Sequence, residues 1–188
     1  RKSSRICFGE GTIRDQIGGI PVQIGSESFF QVNHFCKDTL YSVIRDFASV
    51  SPTDNVLDLY CGMGTIGLSS TSAENHLTGC DLTKEAIEAA RFAAVELGYK
   101  NAFFFCEDAE QLVSRIQKEG YHPDIIITDP PRKGCSPKTL AACVKLNPKK
   151  MILVSCSPTT AARDIHFLSE NGFRVEKVQP VDMFPRTS

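Results

Sequence analysis

From Asn55 onward, short apolar runs alternate with longer stretches whose apolar positions recur every three or four residues. The short runs, at 55–60, 77–81, 102–106, 124–128, 151–155 and 174–181, read as strands. Between them, 83–97 carries Ala86, Ile87, Ala90, Ala94 and Leu97 on one helical face, with Thr83 offered as a hydroxyl cap and Gly98 as a stop. Segments 109–118 and 158–170 have the same spacing; Pro158 suits a first turn, and Asn171-Gly172 closes the second of them. Strands alternating with helices predict a doubly wound α/β domain built on a parallel sheet. Ahead of it, 13–24 with Gly18-Gly19 reads as a hairpin and 33–50 as a leading helix. The expected organisation is therefore a 1–32 extension packed on a domain spanning 33–188.

Composition narrows the picture. A chain of 188 residues with 41% hydrophobic content can bury one full core, and no apolar run approaches bilayer length. A formal net charge of -1 excludes binding nucleic acid by bulk electrostatics, so an RNA partner needs a local basic patch. The eight cysteines, at 7, 36, 61, 80, 106, 135, 143 and 156, include no C-x-x-C pair, which argues against a zinc or iron–sulfur site. Several sit in apolar runs, where a free thiol is a small hydrophobe, and this fits a reducing, intracellular setting. An opening at Arg1 reads as a piece cut from a longer chain.

The first chemical signal is the loop after the first central strand, where Gly62, Gly64 and Gly67 match G-x-G-x-x-G and Asp81 ends the next strand. Those features alone also fit a nicotinamide-dependent oxidoreductase. Asp58 separates the two readings. Facing a helix amino terminus, its carboxylate would repel a pyrophosphate but attract the ammonium and sulfonium of S-adenosylmethionine. Asp81 is then placed for ribose hydroxyls, and Glu107-Asp108 for the adenine edge.

The second signal lies at the fourth and fifth strands. Asp129-Pro-Pro-Arg132 follows one, and Cys156-Ser-Pro158 follows the other. Ligands in such sheets bind at the carboxyl ends of strands, and a cysteine just before a helix sits where partial positive charge favours a thiolate. Carbon 5 of uracil is a poor nucleophile until a thiolate adds at carbon 6 and pushes electrons to it. A base must then take the carbon-5 proton so that the thiol leaves. Arg132, Lys133, Lys138 and Arg163 are candidates for RNA phosphates, or simply a solvated face.

Taken in order, Ser28-Phe-Phe-Gln31-Val-Asn33, Asp58-Leu-Tyr60-Cys-Gly62-Met-Gly64, Asp129-Pro-Pro-Arg132, Ser155-Cys156-Ser-Pro158 and Asp182-Met-Phe-Pro185 closely resemble the tRNA and rRNA uracil-5-methyltransferases. The likeness runs from about Phe8 to the last residue. It implies a Rossmann-like class I methyltransferase fold, with Gln31, Tyr60, Thr65, Asp81 and Asp129 contacting S-adenosyl-L-methionine and Cys156 as nucleophile. It also implies an RNA substrate, no metal and a monomer. The animal homologues are nearest in pattern, the mitochondrial paralogue among them, which points to mitochondria, with cytosol or nucleus as the alternative. In the family a His-x-Glu stretch and a last strand follow the Phe184-Pro185 turn, and that Glu is the base. The chain ends at Ser188, so the expectation is a sheet without its final strand and a fragment that starts the reaction without finishing it. Against this stand an oxidoreductase and a non-catalytic RNA-binding or chaperone module of the same fold.

Overall fold

A computed structural model describes residues 12–17, 19–25 and 34–183. Strands β1 (Thr12–Ile17) and β2 (Ile20–Gly25) form an antiparallel hairpin with Ile17 opposite Ile20. Helix α1 (His34–Ala48) precedes β3 (Asn55–Leu59), α2 (Thr65–Ser70), β4 (His76–Asp81), α3 (Lys84–Glu96), β5 (Ala102–Cys106), α4 (Ala109–Lys118), β6 (Ile125–Thr128), α5 (Pro137–Leu146), β7 (Lys150–Leu153) and α6 (Pro158–Glu170). The last five strands make one parallel sheet in the order β5-β4-β3-β6-β7. The chain winds outward from β3 to β5, crosses through α4 to β6, and continues to β7. The direction of winding therefore reverses between β3 and β6, where open α/β sheets bind ligands.

Both faces of the sheet are covered, so its central strands are apolar throughout rather than alternating. On one face Val56, Leu77, Phe104, Ile125 and Ile127 pack against α1, α2, α3 and the hairpin's Ile17, Ile20 and Val22. On the other, Leu57, Leu59, Cys80 and Ile126 meet Ala109, Leu112, Val113 and Ile116 of α4, with Cys143 and Leu146 of α5. The described cysteines are all free thiols, and Cys80 and Cys143 are completely buried among these hydrophobes.

Three expectations need correction. Thr83 occupies the N-cap position of α3, but its side chain makes no cap bond; its amide instead donates to Asp81 Oδ1 at 2.8 Å. Helix α5 went unpredicted, although Ser136, whose hydroxyl accepts from the Thr139 amide, and Pro137 form a good amino-terminal signal. The run 174–181 is not a strand. It lies along α1, with Lys177 Nζ 5.5 Å from the centre of the Phe47 ring and Gln179–Asp182 walling a cavity of about 200 Å³ with Cys36, Thr39 and Val43. An alternating pattern makes a strand only where another strand supplies its hydrogen bonds.

Gly79 shows how closely β4 and β5 approach the loop above them. A Cβ there would lie 2.8 Å from two Phe104 ring carbons and 3.1 Å from Cys61 Sγ. Gly79→Ala should lower stability by about 1–3 kcal/mol in urea unfolding, as overpacking does. Combining it with Phe104→Leu should recover part of that loss, whereas strictly additive losses would contradict the packing argument.

Candidate active site at the carboxyl edge of the sheet

Strand register assembles the site. Leu59 pairs with Cys80 and with Thr128, Asp81 with Cys106, and Thr128 with Leu153. One line across the carboxyl edge therefore runs Cys106, Asp81, Tyr60, Asp129, Val154. The Asp129 amide donates to the Leu59 carbonyl at 3.3 Å and the Val154 amide to Thr128 at 2.8 Å, which extends the ladder to that line. Cys156 stands two residues beyond it, exposed in the bend before α6. Glycine loop, strand-end acids and cysteine thus share one edge, as expected from the sequence.

The glycine loop turns sharply. Tyr60, Gly62 and Gly64 have φ of 62, 53 and 74°, a region that favours glycine, so Tyr60 stores backbone strain. This is why β3 stops at Leu59, one residue earlier than predicted. A Cβ on Gly64 would lie 3.0 Å from Phe104 and 3.1 Å from Ala90. Tyr60 is half-buried against both α5-side clusters; burial raises its phenol's pKa, and a hydrogen bond from Thr139 opposes the rise.

Asp58 is not where the sequence placed it. Its side chain does not face into the open loop but lies beneath it, 0% exposed, with Oδ2 accepting from the Gly67 amide at 3.0 Å. A Cβ on Gly67 would come within 2.7 Å of that oxygen, so only glycine lets α2 seat here. Oδ1 is buried without a hydrogen-bond partner. Burial, reinforced by the nearby Asp129 and Asp81 charges, raises the Asp58 pKa to about 8 against the opposing Gly67 bond.

The other acids have structural duties as well. Asp81 accepts from Gly62 N at 3.2 Å through Oδ2 and from Thr83 N through Oδ1, tying the loop to β4. Each oxygen keeps a second lone pair for a ligand. Asp108 caps α4, accepting from Glu110 N at 2.9 Å, and Glu107 pairs with Arg115 at 2.9 Å. Asp129 is exposed at the cleft, yet protein atoms crowd its carboxyl and desolvation raises its pKa to about 6. The Thr65 hydroxyl is occupied with Tyr41 at 2.9 Å.

Of the basic candidates, Arg132 and Lys133 are exposed beside Asp129. Lys138 reaches Glu110 at 3.8 Å. Arg163, half-exposed, spends Nη2 on the carbonyls of Lys133 and Cys135, so part of its guanidinium is committed to the backbone. Gln31 lies outside the described residues. Sequence reasoning missed Tyr41, which carries no local signal, and Leu82, which is 71% exposed beside Asp81. An apolar residue directly after a strand-end acid could have marked Leu82. Among the described residues, no group of three or more His, Cys, Asp or Glu could hold a metal ion, and no helix is long and apolar enough to cross a membrane.

Known proteins resemble this chain in sequence and fold. The model of the tRNA (Uracil-5-)-methyltransferase family matches residues 19–188. An uncharacterized RNA methyltransferase of Oceanobacillus iheyensis is 39% identical over 187 residues, covering 100% of this chain and 41% of its own length. One from Clostridium acetobutylicum is 40% identical over 180 residues, 96% of this chain and 39% of its own. The chain thus spans about two-fifths of these relatives. The crystal structure of Pyrococcus abyssi tRNA (uracil-54, C5)-methyltransferase in complex with S-adenosyl-L-homocysteine superposes with a TM-score of 0.79 at 27% identity, covering all of this chain and 46% of that one.

The Asp58 carboxyl makes stability depend on pH. In the unfolded chain it ionises near its ordinary value of 3.8, while in the fold it holds its proton to about 8. Between those values the folded state binds the extra proton, so this group's contribution to stability falls as pH rises through that window and is flat above it. Thermal unfolding of Asp58→Asn, followed from pH 4 to pH 9 without ligand, should lack that part of the decline. An identical pH slope in wild type and variant would place the titration elsewhere.

Proposed function

Because the chain belongs to the tRNA (uracil-5-)-methyltransferase family, we propose that it moves a methyl group from S-adenosylmethionine to carbon 5 of a uridine in RNA, through a covalent bond between Cys156 and carbon 6. A tRNA is the favoured substrate and an rRNA the second. The observation that carries this reading is the register line: an exposed cysteine stands two residues past Val154, on the same edge as Asp129, Tyr60 and Asp81. The Pyrococcus abyssi protein, whose structure holds S-adenosyl-L-homocysteine, supports the choice of cofactor.

The residues present fit that cofactor. Asp81 and Asp129 make the edge acidic, and a cation there would favour ionisation of the Asp58 carboxyl beneath, whose Oδ1 is buried with no hydrogen-bond partner, so a cation is favoured here and a pyrophosphate is not. Asp81 offers its remaining lone pairs to ribose hydroxyls, and Leu82 and Asp108 offer an apolar surface and an acceptor for adenine. Gly62 and Gly64 let the backbone come close. Tyr60, Thr65 and Asp129 border the same space, and the resemblance adds Gln31. S-adenosylmethionine supplies an electrophilic methyl group on a sulfonium sulfur.

The chain's own chemistry then centres on the thiol. Cys156 Sγ adds to carbon 6 of the uracil, and the electrons of the carbon 5–carbon 6 double bond shift so that carbon 5 becomes nucleophilic. Once carbon 5 carries the methyl group, its proton leaves to a base, the double bond re-forms and the carbon–sulfur bond breaks. The family resemblance puts that base in a segment that follows Phe184-Pro185. Arg132 and Lys133, exposed next to Asp129, offer cations to the phosphates flanking a flipped uridine.

The test uses the full-length protein with S-adenosylmethionine and 5-fluorouridine-substituted tRNA, where fluorine in place of the carbon-5 proton blocks release. Mass spectrometry should find the nucleotide on the peptide containing Cys156. Cys156→Ala should lose the adduct and about three orders of magnitude or more in turnover, with S-adenosylhomocysteine affinity unchanged in calorimetry. An adduct on another residue, or near-normal turnover by Cys156→Ala, would overturn the mechanism.

A further inference from the structure

The turn that begins at Asp129 and the helix that follows Cys156 are joined by a network that the methyl-transfer chemistry does not use. Cys135 N donates to Asp164 Oδ2 at 2.9 Å. Arg163 Nη2 donates to the carbonyls of Lys133 and Cys135, both at 3.0 Å. The same guanidinium grips Asp164 Oδ1 through Nε at 2.9 Å and Nη2 at 2.6 Å. One turn earlier, the Thr160 hydroxyl shares its proton between the Ser157 carbonyl at 3.1 Å and the Arg132 carbonyl at 3.3 Å. The first two turns of α6 therefore hold the backbone of residues 132, 133 and 135.

Two features mark this as more than a surface ion pair. Asp164 is 3% exposed, so its oxygens are served by the guanidinium and an amide rather than by water. Gly134, at φ 74°, lies so close to α6 that a Cβ would fall 2.5 Å from Arg163 Nη2, 2.7 Å from Asp164 Oδ2 and 3.2 Å from Thr160 Cβ. Both sides of the contact are shaped for each other, and small movements are resisted from either one.

The lever arm is short. Pro158 opens α6 two residues after Cys156, and Ser157 caps it, accepting from the Thr160 amide. The Ser155 hydroxyl bridges the same bend, donating to the Ser157 carbonyl at 3.0 Å and accepting from its amide at 3.2 Å. Asp129 is three residues from Arg132, and the Gly134 amide closes the turn onto the Pro131 carbonyl at 2.8 Å. The clamp thus spans the gap between the end of β6 and the end of β7 on their outer side.

We propose that Arg163 and Asp164 are positioning residues for the methyl transfer, fixing the Asp129–Arg132 turn against the helix that carries Cys156. The proposal rests on the reading of Cys156 given above. Its physical content is that nucleophile and cofactor-side turn belong to different strands, and a shift of about 1 Å between reacting groups costs about a hundredfold in rate. A guanidinium can serve two carbonyls and a carboxylate at once because its donors lie in a fixed plane; a lysine ammonium is a point charge without that fork.

Three variants of the full-length protein test it: Arg163→Ala, Arg163→Lys and, from the opposite side of the contact, Gly134→Ala. Each is assayed for single-turnover methyl transfer to tRNA, S-adenosylhomocysteine affinity, and hydrogen exchange of the 132–136 amides. Arg163→Ala should slow transfer tenfold to a hundredfold, speed exchange of the Cys135 amide, and leave S-adenosylhomocysteine affinity within twofold. Arg163→Lys should recover part of the rate, and Gly134→Ala should reproduce the alanine result without touching Arg163. Wild-type transfer rates in the presence of faster exchange would overturn the positioning role. So would rate losses that follow cofactor affinity or melting temperature. Wild-type protein that leaves carbon 5 unmethylated would sink the proposed reaction itself. The exchange result would then decide the clamp, which unchanged protection at Cys135 in Arg163→Ala would refute.

Discussion

The contact between Asp58 and Gly67 sets the terms for the rest of the site. A carboxyl at the end of a central strand accepts a hydrogen bond from an amide in the first turn of α2, with no room between them for even a methyl group. The helix start is thereby pinned over the strand end, and the chain from Tyr60 to Gly64 has to rise and return within a very short span. That confinement accounts for the three positive φ values at Tyr60, Gly62 and Gly64. It also explains why the loop takes further anchorage from Asp81 through Gly62 N. Asp58, Asp81 and Asp108 first serve as backbone scaffolding, and the remaining lone pairs of Asp81 face any ligand from a fixed position.

Charge follows from that geometry. Burial and the Asp129 and Asp81 charges raise the Asp58 pKa, and desolvation raises that of Asp129. Close carboxyls in a poorly solvated cleft are an unfavourable arrangement for the empty protein and a favourable one for a cation. A dinucleotide would bring two phosphates to the same helix start and add to the repulsion. The distinction drawn from Asp58 in the sequence therefore passes to Asp81 and Asp129, because Asp58 holds its proton to about 8. Its carboxyl serves from beneath the loop as an acceptor for the Gly67 amide.

Strands β3 to β7 were legible because a sheet buried on both faces leaves continuous apolar runs bounded by turns, and α3, α4 and α6 because their caps and stops are local signals. Segment 174–181 was misread since alternation reports which side chains could share a face, not whether a neighbouring strand exists. Asp81, Asp129 and Cys156 could be placed on one edge from sequence, as each directly ends or follows a strand. The depth of Asp58 could not be, because residue order at a strand end does not show how closely the next helix will sit. The Thr65–Tyr41 bond and the inward turn of Arg163 are products of tertiary packing between elements 24 and about 30 residues apart, and a linear pattern carries no trace of them.

The two halves of the edge are consequently held in different ways. On the β3–β4 side, geometry is imposed by backbone: glycines where no Cβ fits, amides bonded to buried carboxyls, and one strained tyrosine. On the β6–β7 side the turn after Asp129 is held largely by side chains of α6, with Gly134 as the one position where backbone closeness matters. The first arrangement admits few residue types at each point and no adjustment. The second depends on side chains of a helix outside the glycine loop, and can be retuned there without disturbing that loop. For the methyl transfer proposed above, that division leaves the fit of the Asp129–Arg132 turn to Cys156 in the hands of α6, while the glycines fix the loop on the other side.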